Sequence, residues 1–167
     1  NEKIREGFFA KAGIKMSDSI VIIDEGHNVP HRLRDMATSV ISSYSVGRAR
    51  LECSKLGHDD ALEYVNIISD ALSSLSKGLK LDEEKLLKLQ DFKIDDDAAP
   101  ELLAAGEDIR EVQQRSSTFA IGEFLKQWQG PDEGYARIIS IDRDGKIVLA
   151  YRCLDPSAFS SSCLREA

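Results

Sequence analysis

Cysteine is scarce in this 167-residue chain, which carries only Cys53, Cys153 and Cys163. An odd number of cysteines cannot close into a complete disulfide framework, and no two of the three lie at the spacing of metal ligands. The sequence therefore argues against a disulfide-stabilised secreted domain and against a self-contained zinc or iron–sulfur site. An intracellular, reducing compartment fits this cysteine usage.

Long hydrophobic runs are also missing. No apolar run approaches the roughly 18 to 20 residues that a membrane-spanning helix needs, and the charged N-terminal residues lack the pattern of a signal peptide. With 42% apolar and 31% charged residues, the composition is that of a soluble globular domain. The chain starts at Asn1 and stops at "SSSCLREA", so we expect it to be a fragment of a longer protein.

Positive charge is depleted in the middle third of the chain. Residues 58–111 carry six Lys or Arg and fifteen Asp or Glu, a net charge of −9, whereas the two flanks together carry sixteen and fourteen, a net charge of +2. Such an acidic stretch does not suit a primary phosphate-binding face, because it repels a nucleic-acid backbone. It is typical of a solvated surface or of a surface that contacts another protein.

Strand patterns lie towards both ends of the chain. The run "SIVIID", 19–24, predicts a buried strand, because its apolar residues are continuous and mostly β-branched. The segment "ATSVISS", 37–43, predicts a short strand. Near the other end, "YARIISI" and "KIVLAYRC" flank "DRDG", whose Asp-Gly step is a strong hairpin signal.

Short helices are predicted in the first third. Residues 3–12 form a helical pattern that stops at Gly13. Pro30 suits the first turn of a second helix. Ser45 is expected to cap a third helix that runs to about Leu56.

Longer helices are predicted in the middle of the chain. The segment from Asp59 onward places its apolar residues on one helical face until Gly78. "DEEKLLKLQDF", 82–92, predicts a second helix opened by acidic residues, and 100–128 predicts a third, broken near Ser116-Ser117. The predicted fold class is therefore mainly α with a small β part, in which a helical block is inserted into a sheet-based domain.

Two carboxylates follow the first apolar run in "VIIDEGHNV", 21–29. Open parallel sheets bind ligands beyond the carboxyl ends of their strands, so Asp24 can face such a crevice and hold Mg²⁺. Glu25 can orient or deprotonate an attacking water. Gly26 allows a tight backbone path, and His27 can hydrogen-bond across a gap between domains. On these residues alone, an ordinary polar strand end explains the pair equally well.

The same stretch resembles motif II of superfamily 2 helicases, the Asp-Glu-Ala-His box, and more narrowly that of the XPD-like DNA helicases. Gly26 stands where that family usually has Ala, a small change that keeps the carboxylates in place. "YRCLDPSAF", 151–159, resembles the segment by which those proteins return from a helical Arch domain to the first motor domain. The specific similarity covers about 19–31 and 148–167, and the middle matches by position and helicity.

This resemblance implies a domain order and an activity for the parent protein. Residues 1–43 would be part of helicase motor domain 1 with motif II, 44–130 a helical Arch-like domain, and 131–167 the return strands to motor domain 1. The parent would be an ATP-dependent 5′-to-3′ DNA helicase of nucleotide-excision-repair type, in the cytoplasm of a prokaryote or the nucleus of a eukaryote.

The resemblance also implies roles for the motif. Asp24 would hold Mg²⁺ through its water shell, ATP would bind beside Asp24 and Glu25, Glu25 would activate the attacking water, and His27 would couple the nucleotide state to the DNA cleft. The chain lacks a GxxxxGK[ST] phosphate loop and the four cysteines of the family's iron–sulfur domain. We therefore expect the iron–sulfur cluster and the phosphate loop in other parts of the parent, and no ATP hydrolysis or unwinding by the chain alone.

The implied partners are single-stranded DNA, which the Arch would help to enclose, and a regulatory protein on the outer face of the Arch. No membrane partner is expected. Arg32, Arg34, Arg48 and Arg50 are the candidates for contacts with the DNA backbone, and solvation at the surface explains them equally well.

Other interpretations stay open. The chain could be a helical protein-interaction module in which the two carboxylates are structural, or part of another superfamily 2 nucleic-acid-dependent ATPase. His27 and His31 have the i, i+4 spacing of metal ligands, but Pro30 lies between them and no His-Glu-x-x-His pattern is present. Exposed edges of half a motor sheet would also let the fragment associate with a copy of itself.

Overall fold

The chain divides into two units. The computed structural model describes residues 10–13, 20, 22 and 24–157. The first unit comprises the described residues of 1–37 together with 155–157, and the second is Thr38–Leu154. The domain limits predicted for the parent, at 43 and 130, stay predictions.

Helices outnumber strands in the described part of the chain. In order, they are α1 Val29–Ala37, β1 Ser39–Ser42, α2 Ser43–Leu56, α3 Asp59–Leu75, β2 Glu84–Leu87, α4 Ala98–Gln113, α5 Ser117–Trp128, β3 Tyr135–Ile141 and β4 Ile147–Cys153. This confirms the predicted class, mainly α with a small β part. None of the helices in the described ranges is both long and apolar enough to cross a bilayer.

The first unit contains α1 and a short helical segment before it. Of the helix predicted for 3–12, residues 10–12 are described and helical, and residues 3–9 lie outside the described residues. Gly13 ends the segment with a φ of 65°, the left-handed conformation that glycine tolerates best. As predicted, α1 starts at Val29 with Pro30 in its first turn.

The predicted buried strand at 19–24 is wrong at the positions that the structure describes. Ile20 and Ile22 are 93% and 88% exposed and have no strand pairing, while Asp24 and Glu25 form a turn. The remaining positions of the run, 19, 21 and 23, lie outside the described residues. An apolar strand is buried only when neighbouring strands flank it and other elements cover its faces, and no described strand pairs with Ile20 or Ile22.

The second unit contains a four-stranded antiparallel sheet in the order β1-β4-β3-β2. The hairpin of β3 and β4 is confirmed, with Tyr135 opposite Cys153 and Ile141 opposite Ile147. The short strand predicted at 37–43 is confirmed as β1, which pairs with β4.

The helix predicted at 82–92 is wrong, because this segment forms β2 and a 3₁₀ turn at Leu89–Asp91. β2 adds to the open edge of β3, with Leu86 opposite Ile138. Leu87 is buried and Leu86 is 74% exposed, the alternation of a strand with one covered face. The backbone hydrogen bonds offered by β3 outweigh the helix propensity of the acidic and leucine residues.

The start of α2 also differs from the prediction. The N-cap is Ser42, not Ser45, because Ser42 keeps an extended backbone with φ of −135° and ψ of 161°. The N–H of Ser45 donates to the Ser42 hydroxyl at 3.2 Å, and the N–H of Ser42 donates to the Ser45 hydroxyl at 2.9 Å. The two serines thus satisfy each other's free backbone donors, as in a capping box.

Within the second unit, helices α2 to α5 pack against one face of the sheet in a single hydrophobic core. Helix α3 confirms the predicted apolar face, with Val65, Ile68 and Leu72 buried. The long helical stretch from residue 100 breaks where predicted, since α4 ends at Gln113 and α5 begins at Ser117.

Candidate functional site

Asp24 and Glu25 lie in a turn at the start of the motif. Glu25 has a φ of 53°, in the left-handed region that non-glycine residues seldom adopt. Its N–H donates to the Asp24 carboxylate at 2.9 Å, and its carbonyl accepts the N–H of Asn28 at 2.9 Å. The second bond closes the 3₁₀ turn Gly26–Asn28 that leads into α1. This turn keeps both carboxylates exposed.

His27 lies beside Glu25 in this turn. Its Nδ1 is 3.2 Å from Glu25 Oε2, and the side chains are 74% and 67% exposed. A pair this exposed contributes little to stability, but it orients the imidazole towards the carboxylate. His31 makes a similar contact with Asp35, at 3.0 Å and one helical turn apart. His27 and His31 therefore contact different carboxylates.

The donor atoms of the motif fit a magnesium ion held through water. Mg²⁺ is a hard cation that proteins usually bind through one or two carboxylates, with waters and substrate phosphates completing its shell. Asp24 and Glu25 offer two exposed carboxylates side by side in the chain. Among residues 10–13, 20, 22 and 24–157, no cluster of three or more His, Cys, Asp or Glu is placed to hold a metal ion.

The four predicted arginines are exposed on two helices. Arg32 and Arg34 belong to α1, and Arg48 and Arg50 belong to α2. Within each pair the residues are two positions apart, which an α-helix places on different sides.

The structure shows what surrounds three of these arginines. Arg48 and Arg50 flank Ala49, which is completely buried. Arg34 lies near Asp155, whose pKa is lowered chiefly by hydrogen bonds from Ser157 and further by the positive charge of Arg34.

A buried carboxylate that the sequence analysis missed is that of Glu52. It accepts hydrogen bonds from the N–H groups of Ser117 and Thr118 and from the hydroxyls of Ser116 and Thr118, at 3.0 to 3.2 Å. Burial raises the pKa of Glu52, but these four bonds outweigh it and hold the pKa below its ordinary value. The sequence pattern that could have indicated its burial is its position on the same helical face as Ala49.

A buried cation was also missed. Arg137 is 3% exposed and donates to the carbonyl of Trp128 at 2.7 and 3.1 Å and to that of Gly130 at 2.6 Å. It also pairs with Asp132 and lies over the ring of Tyr151, 5.0 Å from its centroid. The signal was strand alternation, which puts Arg137 on the same face as Ile139. Glu52 and Arg137 are structural groups that join elements of the second unit.

Comparisons with known proteins bear on the motif and on the fold. The DEAD_2 family model matches residues 1–46, a range that includes Asp24, Glu25 and His27. The structure of Xpd4 from S. tokodaii matches with a TM-score of 0.64 and 20% sequence identity. The comparison with curated proteins gave no match.

The structural match has a defined extent. It covers 90% of this chain and 32% of Xpd4, so the chain spans about a third of the length of that protein. At 20% identity the likeness concerns the fold, whereas the DEAD_2 match concerns the sequence around the motif. Together the two matches show a sequence likeness to DEAD_2 proteins around the motif and a likeness to the fold of Xpd4 over most of the chain.

Proposed function

We propose that this chain is the motif II and Arch-like part of an ATP-dependent 5′-to-3′ DNA helicase of nucleotide-excision-repair type. The observation that carries the proposal is that Asp24, Glu25 and His27 lie inside the segment that matches the DEAD_2 family. The fold likeness to Xpd4 over 90% of the chain supports it from a second direction. In this proposal residues 1–43 and 131–167 belong to motor domain 1, and 44–130 form the Arch-like domain.

The proposed chemistry belongs to the two exposed carboxylates. Asp24 would bind the water shell of the ion, and Mg²⁺, when bound with ATP, would neutralise charge on the phosphate groups. Glu25 would accept a proton from the water that attacks the γ-phosphate. The turn leaves both side chains exposed, so a nucleotide bound by the phosphate loop of the parent would be able to reach them.

His27 would transmit the nucleotide state to the DNA-binding cleft. Its contact with Glu25 at 3.2 Å supports this role, since a change in the charge around Glu25 alters the hydrogen bond that the imidazole makes. His27 is therefore proposed as a positioning residue that acts through Glu25.

Single-stranded DNA is the proposed nucleic-acid partner of the parent. Arg32, Arg34, Arg48 and Arg50 supply exposed positive charge for its phosphates. The acidic middle of the chain would face away from the DNA, because fifteen carboxylates against six basic residues at 58–111 repel it. A regulatory protein is the proposed partner of that outer surface.

The test compares wild type with Glu25→Gln in the full-length parent, with and without single-stranded DNA. Wild type should hydrolyse ATP faster with DNA, and the Glu25→Gln variant should lose turnover by at least about a hundredfold while still binding ATP. Glu63→Gln, an exposed glutamate on α3, is the matched control and should keep full activity.

Two results would contradict the proposal. Equal hydrolysis by wild type and Glu25→Gln would make the carboxylate pair structural, as in a protein-interaction module. Stimulation by RNA but not by DNA, with the same loss in Glu25→Gln, would instead assign the chain to another superfamily 2 ATPase.

A further inference from the structure

A groove of about 430 Å³ lies between the segment that follows β2 and the end of α5, within the second unit. Its walls are largely apolar and include Phe92, Ile94, Leu125 and Trp128. The exposed carboxylates of Asp95 and Asp96 also line it. The groove thus combines an apolar interior with a polar edge, the usual composition of a recognition site.

The walls of this groove are held in place by contacts with the core. The rings of Phe92 and Trp128 meet edge to face with centroids 5.4 Å apart. The indole N–H of Trp128 donates to the carbonyl of Phe92 at 3.1 Å, and Arg137 donates to the carbonyl of Trp128. A groove fixed in this way costs little conformational entropy when a ligand enters.

The surroundings of the groove are acidic. From Asp91 to Glu101 the chain carries five carboxylates and one lysine. Burial raises the pKa of the nearby Tyr64 phenol, and the negative charges of Asp95, Asp97 and Glu101 raise it further. An excess of negative charge therefore covers this part of the surface.

The charges that line the groove itself favour a cation. Lys126, the one cation among the residues lining it, lies 3.8 Å from Glu123, which offsets its charge. Asp95 accepts the N–H of Asp97 at 3.1 Å. No side chain in the described part of the chain forms an ion pair with Asp96, whose carboxylate is thus available to a ligand.

We propose that this groove binds a segment of a partner protein in which one or two large apolar side chains are flanked by Lys or Arg. The apolar side chains would lie in the groove against Ala99 and Pro100, over the buried Phe92 and Leu125, and the basic side chains would pair with Asp95 and Asp96. A nucleic acid does not fit, because its phosphates would meet the same carboxylates. Such a segment would belong to the regulatory partner proposed above. This rests on the proposed function only because that function assigns the surface to an Arch-like domain.

The test uses the intact 167-residue chain and a displayed library of short random peptides. Enriched peptides should carry a large apolar residue next to Lys or Arg, and their synthetic forms should bind more weakly at high salt. Affinities are measured by fluorescence anisotropy, and the fold of each variant is checked by circular dichroism and amide NMR spectra.

Three variants test whether such peptides occupy the groove. Ala99→Phe fills it, and Asp95→Asn with Asp96→Asn removes its charge while leaving a side-chain amide oxygen at position 95 that can accept the Asp97 N–H. Each should weaken binding by about tenfold or more at low salt. Asp70→Asn with Asp108→Asn removes the same charge from exposed positions outside the groove and should change affinity by less than about twofold.

Several outcomes would overturn the inference. The library could enrich no peptide that combines apolar and basic residues. The groove pair of Asp→Asn substitutions and the control pair could lower the affinity equally, or Ala99→Phe could leave the affinity unchanged. Displacement of the peptide by single-stranded DNA would assign the surface to nucleic acid instead. None of these results depends on ATP hydrolysis, so the failure of this inference and the failure of the helicase proposal are separable.

Discussion

Glu52 and Thr118, which are 66 positions apart in the chain, are joined by two hydrogen bonds of 3.0 Å. The Glu52 carboxylate on α2 accepts the backbone N–H and the hydroxyl of Thr118 in the first turn of α5. A negative charge at this end of a helix also interacts favourably with the helix dipole. This contact fixes α5 against α2, and α5 in turn carries one wall of the groove described above.

Replacing Glu52 by Gln should destabilise the second unit by about 1–3 kcal/mol. The amide of Gln keeps one oxygen acceptor but turns a donor group towards the donors of Ser117 and Thr118. The free energy of unfolding is measured by urea denaturation, with Glu63→Gln on the exposed face of α3 as the matched control. An equal change in the two variants would show that the buried hydrogen bonds contribute nothing specific.

The stabilisation from Glu52 should depend on pH. Burial raises its pKa, but the hydrogen bonds from Ser117, Thr118 and Ser116 lower it more, so the folded pKa lies below the unfolded one. Its contribution is therefore complete above the ordinary glutamate pKa of about 4.3 and is lost as the pH falls through the folded value. The difference in unfolding free energy between wild type and Glu52→Gln should be constant near neutrality and shrink below that range. A difference that stays constant down to acid unfolding would contradict this.

Gly106→Ala should disrupt the packing of α4 on α5. A Cβ atom at Gly106 would lie 2.5 Å from the Cα and N atoms of Phe119, so the two helix backbones would have to separate. We expect a loss of about 1–3 kcal/mol. Gly47→Ala is the control, because a Cβ atom there meets no heavy atom within 4 Å, and it should stabilise α2 by about 0.5–1 kcal/mol. The stability of both variants is measured by thermal unfolding. A Gly106→Ala variant more stable than wild type would contradict the close approach of Gly106 to Phe119.

Arg137→Met should lower stability by about 3 kcal/mol, because the carbonyls of Trp128 and Gly130 lose their buried donors. Arg143→Met is the matched control. Its side chain is 89% exposed and pairs with Asp82, so its loss should have no measurable effect. The near-ultraviolet circular dichroism of Trp128 should change only in Arg137→Met. If Arg137→Met left the free energy of unfolding unchanged, water would have replaced the guanidinium as the donor to these carbonyls.

In the proposed parent, Arg48→Ala with Arg50→Ala should weaken binding to single-stranded DNA. If both arginines contact phosphates, the slope of log K against log salt should fall in magnitude by about 1.4. The control removes two positive charges from the β3–β4 turn through Arg143→Ala and Lys146→Ala. Equal losses of slope in both double variants would indicate a general charge effect and remove Arg48 and Arg50 as contact residues.

Much of the fold could be predicted because its signals are local. The apolar face of α3, the break between α4 and α5 at Ser116, and the hairpin around Asp144-Gly145 depend on residues that are neighbours in sequence. The position of the candidate motif could likewise be predicted from Asp24 and Glu25, because a motif is defined by the identity and order of its residues. Its surroundings were not, as the exposure of Ile20 and Ile22 shows.

The sequence by itself determined the mainly helical class, the order of most elements and the residues that identify the motif. The tertiary structure alone decided that 84–87 is a strand, that Glu52 accepts the first backbone N–H groups of α5, and that Phe92 and Trp128 line a groove with an acidic edge. The reason is physical. A helical or hairpin pattern depends on residues a few positions apart in the sequence. An open strand edge or a buried charge forms its hydrogen bonds with residues that only folding brings close. The paired residues of β2 and β3 are some fifty positions apart, and Glu52 and Thr118 are 66 positions apart.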